Sequence, residues 1–372
     1  MDFQLSEMQQ MLFDSAERFA RDHYSIEQRR SLRETADGLD RDAWSQFAAL
    51  GWLALPIAED QGGLGGSLDD VAVLMTAIGA GLATEPYVST AVLGAHMLAR
   101  GDNAALRDRE LPLIATGARR IALAHDEPGD RYAYDGPRLC ALKPGGNGFR
   151  LDGQKMLVLD APSADRLIVS ADMEGAGVAL VLVDPASEGV SHDTYPLIDG
   201  SRAADIRFDS VAVASDDILA SPAIGSALLG EAVDRATIAL MAQAIGSMEA
   251  TLEICSAYLK ERHQFGQPIG KFQALQHIMA DMFVAAHQSR SALYHALAHA
   301  GRDAASRARA VSLAKLTVGD AAQFVSRSAI QLHGGYGMTD EYPVSHHFRR
   351  LLVIEKLYGD AEFHARRAMV KA

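Results

Sequence analysis

Changes of hydrophobic period along 372 residues predict an α+β chain in three parts. These are an N-terminal helical domain at 1–118, a small β barrel or sandwich at 119–221, and a C-terminal helical bundle at 222–372. Three observations carry the prediction. Apolar residues recur at helical spacing through the first third. Short alternating runs, punctuated by Gly, Pro, Ser and Asp, fill the middle. Helical spacing returns at Gly225 and persists through the remaining residues. A chain of this length also exceeds one simple core, which fits two or three domains.

The elements follow in order. Ser6 with Gln9 forms a capping box, and Met8, Met11, Leu12, Ala16 and Phe19 share one helix face. Residues 40–50 repeat the pattern with Trp44, Phe47 and Leu50, and Gly51 ends it. The glycines of 61–66 lack the lysine and the preceding strand of a phosphate loop, so they read as a flexible turn. Helices are expected over 71–82 and 90–100. Residues 120–125, 165–171, 178–183 and 203–208 read as strands, and 148–159 as strands around a tight turn. Residues 225–259 form one long helical region, followed by helical spacing over 272–300, 304–331 and 348–369. Its small residues Ala236, Ala239, Ala242, Ala244 and Gly246 suit either room for a wide ligand or close helix packing.

Charge and cysteine content remove several function classes. Net charge is −13, which argues against nucleic-acid and anionic-membrane partners. Cys140 and Cys255 lie far apart without metal-ligand spacing and read as reduced, structural thiols. The thirteen histidines, His346 and His347 among them, show no spacing with acids for zinc or iron, so no metal is expected. His346-His347 reads as a surface loop or helix start. No Gly-x-Ser-x-Gly turn and no Rossmann fingerprint is found. Residues 1–22 are amphipathic with no apolar signal core, and no apolar run reads as a membrane span; cytoplasmic residence is the expectation.

The most informative stretch is Glu261-Arg262-His263-Gln264-Phe265-Gly266-Gln267-Pro268-Ile269-Gly270. A helix ends in a charged tip, Gly and Pro break it, and helical spacing resumes at once. An arginine beside an open glycine turn suits an anion such as a pyrophosphate, because its planar fork offers paired donors. Further on, Gln331-Leu332-His333-Gly334-Gly335 closes another helix with adjacent glycines, which let a ligand approach the backbone.

Taken together with Phe272-Gln273, these motifs resemble the acyl-CoA dehydrogenase family in order and spacing, and the three-part layout matches over nearly the whole length. The resemblance implies FAD held between the β domain and the C-terminal helices. It implies that Arg262, with Gln264 and Phe265 in its turn, pairs with the pyrophosphate of a neighbouring subunit's FAD. Gln273 would contact the same region, and Gln331, Leu332, His333, Gly334 and Gly335 the adenosine part. Leu123-Ala124-His125-Asp126-Glu127-Pro128 occupies the flavin-side segment, which places Leu123 and His125 beside the cofactor. Lys155 to Val158 fits the flavin-facing strand, without the tryptophan often found there. The implied partners are an acyl-CoA substrate from a fatty acid or steroid side chain, an electron-transfer flavoprotein as acceptor, and a second subunit in a homodimer, a homotetramer or a tetramer with a related chain.

Dehydrogenation needs a base for the α-proton and a hydride acceptor for the β-hydrogen. Most family members carry a glutamate at the position that Tyr358 occupies here, and a phenol with a pKa of about 10 is a poor base. A minority place the base on an earlier helix, where Glu231-Ala232-Val233-Asp234-Arg235 puts Asp234. Three readings follow. The chain is an acyl-CoA dehydrogenase using Asp234, the non-catalytic subunit of a mixed enzyme, or a flavin oxidase or monooxygenase of the same fold using Asp234 or His125.

Overall fold

A computed structural model describes residues 4–129, 132, 134, 136–137, 139–146 and 148–369. The elements are α1 (Glu7–His23), α2 (Ile26–Arg33), α3 (Arg41–Ala49), α4 (Leu68–Ala80), α5 (Ala95–Arg100) and α6 (Ala104–Ala115). The strands β1 (Ile121–Ala124), β2 (Ala141–Gly145), β3 (Gly148–Leu159), β4 (Arg166–Met173), β5 (Val178–Val183), β6 (Val190–Pro196), β7 (Arg202–Ala214) and β8 (Ile218–Ala220) follow. Next come α7 (Gly225–Glu261), β9 (His263–Gln264), β10 (Gln267–Pro268), α8 (Gln273–His299), α9 (Ala304–His333), α10 (Pro343–Lys356) and α11 (Ala361–Met369). Two compact units result: Met1–Ser31, Leu68–Ala83 and Thr237–Ala372 in one, Leu32–Ser67 and Thr84–Ala236 in the other.

The first unit is helical. The Ser6–Gln9 capping box is present at the start of α1, and α1 packs on α4. Only the end of the expected α1 face is buried, at Ala16 and Phe19, while Met8 and Met11 are exposed. Against α4, α7 comes to backbone contact. A Cβ on Gly79 would stand 2.3 Å from the Gln243 carbonyl oxygen, and one on Gly246 1.8 Å from that of Thr76. The small residues of α7 in this unit therefore serve close helix packing. Helix α9 is the centre of the C-terminal bundle, with α8, α10 and α11 packed on it. His346 and His347 sit at the start of α10 but are buried, not on the surface. By length and composition α7 would cross a bilayer, yet 72% of its most apolar window is buried inside the protein, as in a core helix.

The second unit is built on one mixed sheet in the order β6-β7-β3-β2-β4-β5-β8, with β1 pairing β4. Its core face is apolar: Leu151 and Val158 of β3, Val169 and Ala171 of β4, Val181 of β5, Ala204, Ile206 and Phe208 of β7. In place of the expected tight turn, residues 148–159 form one continuous strand. Gly153 is required there because a Cβ would stand 2.6 Å from the Cys140 Cα. The glycines of 61–66 lie in a hydrogen-bonded turn. Gly65 N donates to Ile57 O at 2.8 Å and Gly66 N to Leu55 O at 2.7 Å. The expected helix over 90–100 begins with a π-helix, Val88–Gly94, a rare form that often marks functional places. It is anchored to β1: Thr90 Oγ1 donates to Ile121 O at 3.2 Å and accepts from Ile121 N at 3.0 Å.

One charged pair lies inside this unit. Lys155 stands opposite Ile206 in the β3–β7 register and is wholly buried. Its Nζ lies 2.9 Å from Glu127 Oε1, 3.0 Å from the His125 carbonyl oxygen and 3.1 Å from Ser170 Oγ. Glu127 in turn accepts from Leu139 N at 2.7 Å and Cys140 N at 2.9 Å. An ammonium in such surroundings is tolerable only with these partners. Lys155→Met and Glu127→Leu are each expected to destabilise the protein by about 3–5 kcal/mol, whereas the double variant recovers most of that loss. Urea unfolding of the four proteins in a double-mutant cycle measures it, and additive losses would show the pair to be uncoupled.

Candidate cofactor and catalytic site

Residues expected at the site divide between the two units. In the helical unit, the end of α7 turns into a two-residue hairpin. His263 and Gln264 pair antiparallel with Pro268 and Gln267. Phe265 and Gly266 at its tip have φ of 53° and 77°, the pairing that a type I′ turn needs. Ile269 N returns to Arg262 O at 2.8 Å. Arg262 and Gln264 are exposed, and Phe265 is 90% exposed. Among the described residues the Arg262 guanidinium makes no ion pair, so its fork of donors is open to an anion. Gln273, also exposed, opens α8 directly after.

A second part of the unit packs on the end of α7 just before this hairpin. Tyr258, one turn before Arg262, packs on His333 with ring centroids 4.3 Å apart. His333 lies 5.0 Å from Tyr342, and Tyr336 4.3 Å from Tyr342. His333 Nδ1 lies 2.8 Å from the Ala329 carbonyl oxygen, and burial holds its pKa below the ordinary imidazole value. Leu332 and His333 are thus core residues that seat the segment. Gln331, Gly334 and Gly335 are its exposed members. Gly334 has φ 59° and ψ −142°, a conformation essentially confined to glycine. Added Cβ atoms on Gly334 and Gly335 would meet nothing within 4 Å, so both backbones face open space. An unpaired arginine fork and an open glycine backbone, tied together by Tyr258 and His333, fit the diphosphate and adenosine of a dinucleotide. Sequence spacing does not reveal this aromatic cluster; its one signal is a tyrosine one helical turn before the arginine.

Also in the helical unit, Tyr358 lies in the turn between α10 and α11. It has φ 56°, and Gly359 follows with φ 124°. The turn is held from below by Lys315 of α9, a fully buried ammonium whose Nζ donates to Ile354 O at 2.5 Å and Leu357 O at 3.0 Å. Burial pushes Lys315 down to about 7. His364 Nδ1 lies 3.1 Å from Ser312 Oγ. Burial, then the charges of Lys315 and Arg367, push His364 down to about 3. His347, 2.8 Å from Ser247 Oγ, is pushed to about 3 as well, by burial first and then by Arg29 and His346.

In the sheet unit, β1 runs into His125, Asp126 and Glu127. The His125 side chain is buried, with Nδ1 2.8 Å from Ser170 Oγ and its ring stacked on Tyr134 at 5.2 Å. Leu123 and Asp126 are the partly exposed members. Across from them Met156 N donates to Asp126 O at 2.8 Å. Leu157 has φ 49° and donates its N–H to Asp205 Oδ1 at 3.0 Å. Asp234, three turns into α7, is 1% exposed. One turn earlier, Glu231 Oε1 lies 3.0 Å from His96 Nε2. Cys140 and Cys255 are free and buried, pushed up to about 11 and about 12 by burial, so both stay thiols at neutral pH. Among the described residues no group of three or more His, Cys, Asp or Glu side chains is placed to hold a metal.

The buried bases set a pH dependence. Between pH 3 and 6.5 an unfolded chain protonates His347 and His364 while the folded chain keeps them neutral. Stability is therefore lost as pH falls through this window. Lys315 acts in the same direction between pH 7 and 10.5, where the unfolded chain holds the extra proton. Urea unfolding from pH 4 to 6.5 is expected to show stability rising with pH. Replacing His347 and His364 by Gln should flatten the slope by about 1.4 kcal/mol per pH unit for each histidine.

Comparison with known proteins completes the site. Residues 6–118 match the family model "Acyl-CoA dehydrogenase, N-terminal domain", and residues 225–371 match "Acyl-CoA dehydrogenase, C-terminal domain". The acryloyl-CoA reductase (NADH) of Anaerotignum propionicum is 27% identical, over 98% of this chain and 94% of its own. Among solved structures, a variant of the Tcur3481-Tcur3483 steroid ACAD is 30% identical with a TM-score of 0.88, over 97% of this chain and 96% of that one. The ChsE4-ChsE5 complex from Mycobacterium tuberculosis is 25% identical with a TM-score of 0.90, over the whole of both chains.

Proposed function

The chain belongs to the acyl-CoA dehydrogenase family, and on that premise we propose an FAD-dependent oxidoreductase that forms an α,β double bond in an acyl-CoA thioester with Asp234 as base. The observation that supports the cofactor reading is the Tyr258–His333 contact, which joins the helix turn before the exposed Arg262 to the helix end that carries the open Gly334 and Gly335 backbone. Arg262 would pair with the diphosphate, Gln273 would stand beside it, and Gln331, Gly334 and Gly335 would hold the adenosine. FAD, when bound, accepts the hydride that leaves the substrate β-carbon.

The chain's own part in the chemistry is the proton. Asp234 is a carboxylate taken out of water on a rigid helix, as a carbon-acid base needs. The substrate's α C–H bond breaks, and its proton passes to an Asp234 oxygen. As the family resemblance implies, Arg262 is read as serving the FAD of a second subunit.

A second reading keeps the same cofactor grip but makes this chain the non-catalytic member of a two-chain enzyme. Tyr358 at the usual glutamate position favours it, as does likeness to the ChsE4-ChsE5 complex. An electron-transfer flavoprotein is the proposed acceptor in either case.

Two substitutions separate these readings. Asp234→Asn is expected to retain FAD and to slow acyl-CoA-dependent dye reduction by about 10²- to 10⁴-fold. Unchanged reduction, or an inert parent that gains activity only with a second chain, would point to the non-catalytic reading. Arg262→Ala should weaken FAD binding by about 10- to 100-fold, the worth of a charge-assisted contact. Fluorescence titration of apoprotein with FAD measures this, and an unchanged affinity would sink the cofactor assignment.

A further inference from the structure

A base buried as deeply as Asp234 must also return its proton to water before the next turnover, and the side chains next to it on α7 bear on how. Glu231, Asp234 and Arg235 stand at i, i+3 and i+4 on α7 and so share one face, with neighbouring Cβ atoms about 5–6 Å apart. Asp234 is 1% exposed, whereas the Glu231 side chain is 31% exposed. Glu231 is thus the more exposed carboxyl of that face, one turn from the buried one. Its Oε1 lies 3.0 Å from Nε2 of His96, a ring only 12% exposed. His96 is held in place by its backbone. Its helix α5 follows directly on the π-helix Val88–Gly94, which Thr90 fastens to Ile121. The charged groups acting on His96 are Glu231 and Arg235 from α7 and Arg100 from its own helix. Burial, the largest of these influences, keeps the imidazole below its ordinary pKa and hence neutral at neutral pH. A neutral imidazole can take a proton on one nitrogen and release one from the other.

We propose that Glu231, backed by His96, is the proton exit of Asp234. After the α-proton has been taken, the Asp234 O–H bond breaks and an O–H bond forms on Glu231. Glu231 then gives the proton to water directly or by way of His96, and Asp234 returns to its carboxylate. Glu231 and His96 are positioning and relay residues, since neither touches the reacting carbon. The proposal rests on the reading of Asp234 as base.

The test separates the first turnover from the following ones. FAD-loaded protein is mixed with isovaleryl-CoA, and flavin bleaching is recorded with no acceptor and then in steady state with a dye. For Glu231→Gln, first bleaching is expected within about twofold of the parent, while steady-state turnover falls about tenfold or more. Glu231→Ala should lose turnover likewise and recover it in added formate, a small acid that can stand in the vacated place. His96→Gln should give a smaller steady-state loss with bleaching intact. Equal loss of bleaching and turnover, absence of any turnover loss, or failure of formate to rescue would overturn the exit. Asp234→Asn tests the premise separately: persistent bleaching there removes the base reading whatever Glu231 does.

Discussion

Helix α7 is the constraint on which the rest depends. Its 37 residues run without a proline from Gly225 to Glu261, and an uninterrupted helix is a rigid ruler of 1.5 Å per residue. Asp234 stands near one end and the Arg262 hairpin at the other. The same rigidity explains the tip. The chain must reverse within two residues to begin α8, and Phe265 takes a left-handed conformation beside Gly266 to do so.

Two buried lysines set the flanking segments, by different means. Lys155 is neutralised by Glu127, and that pair ties the His125–Glu127 segment, β3 and the Leu139–Cys140 backbone into one network. Lys315 instead spends its donors on carbonyl oxygens at the end of α10, where a helix presents partial negative charge. Each lysine lies under a segment that the family motifs single out. Removing either would leave acceptors buried without partners, which costs more than the lost attraction alone.

The periodic signals were the legible part of the fold. The long helices and β5 were readable because burial on one face forces apolar residues into register. Residues 148–159 were misread because glycine in a strand and glycine in a turn look alike in sequence. Only the contact with Cys140 shows that Gly153 is there for close approach. His346 and His347 were read as surface residues because imidazole is polar, yet Ser247 and neighbouring backbone satisfy both. Of the site, Arg262 and the Gln331–Gly335 segment were legible as local motifs. The cluster of Tyr258, His333, Tyr336 and Tyr342 was not, since its members come from three separate stretches and carry no common spacing. The same holds for Glu231 with His96 and for Lys155 with Glu127.

Backbone strain bears on the Tyr358 turn. Tyr358 is one of eight described non-glycine residues with positive φ, Leu157 and Phe265 among the others, at a cost on the order of 1–3 kcal/mol for a residue bearing a bulky side chain. At Tyr358 the strain persists although a phenol is unsuited to act as base there. Packing accounts for this. Lys315 pins the Leu357 carbonyl, a Cβ on Gly359 would stand 2.4 Å from Phe363 and 2.5 Å from His364, and Asp360 caps α11 through Phe363 N. The Lys315 contact, the close packing around Gly359 and the Asp360 cap thus fix the backbone of the turn that carries Tyr358.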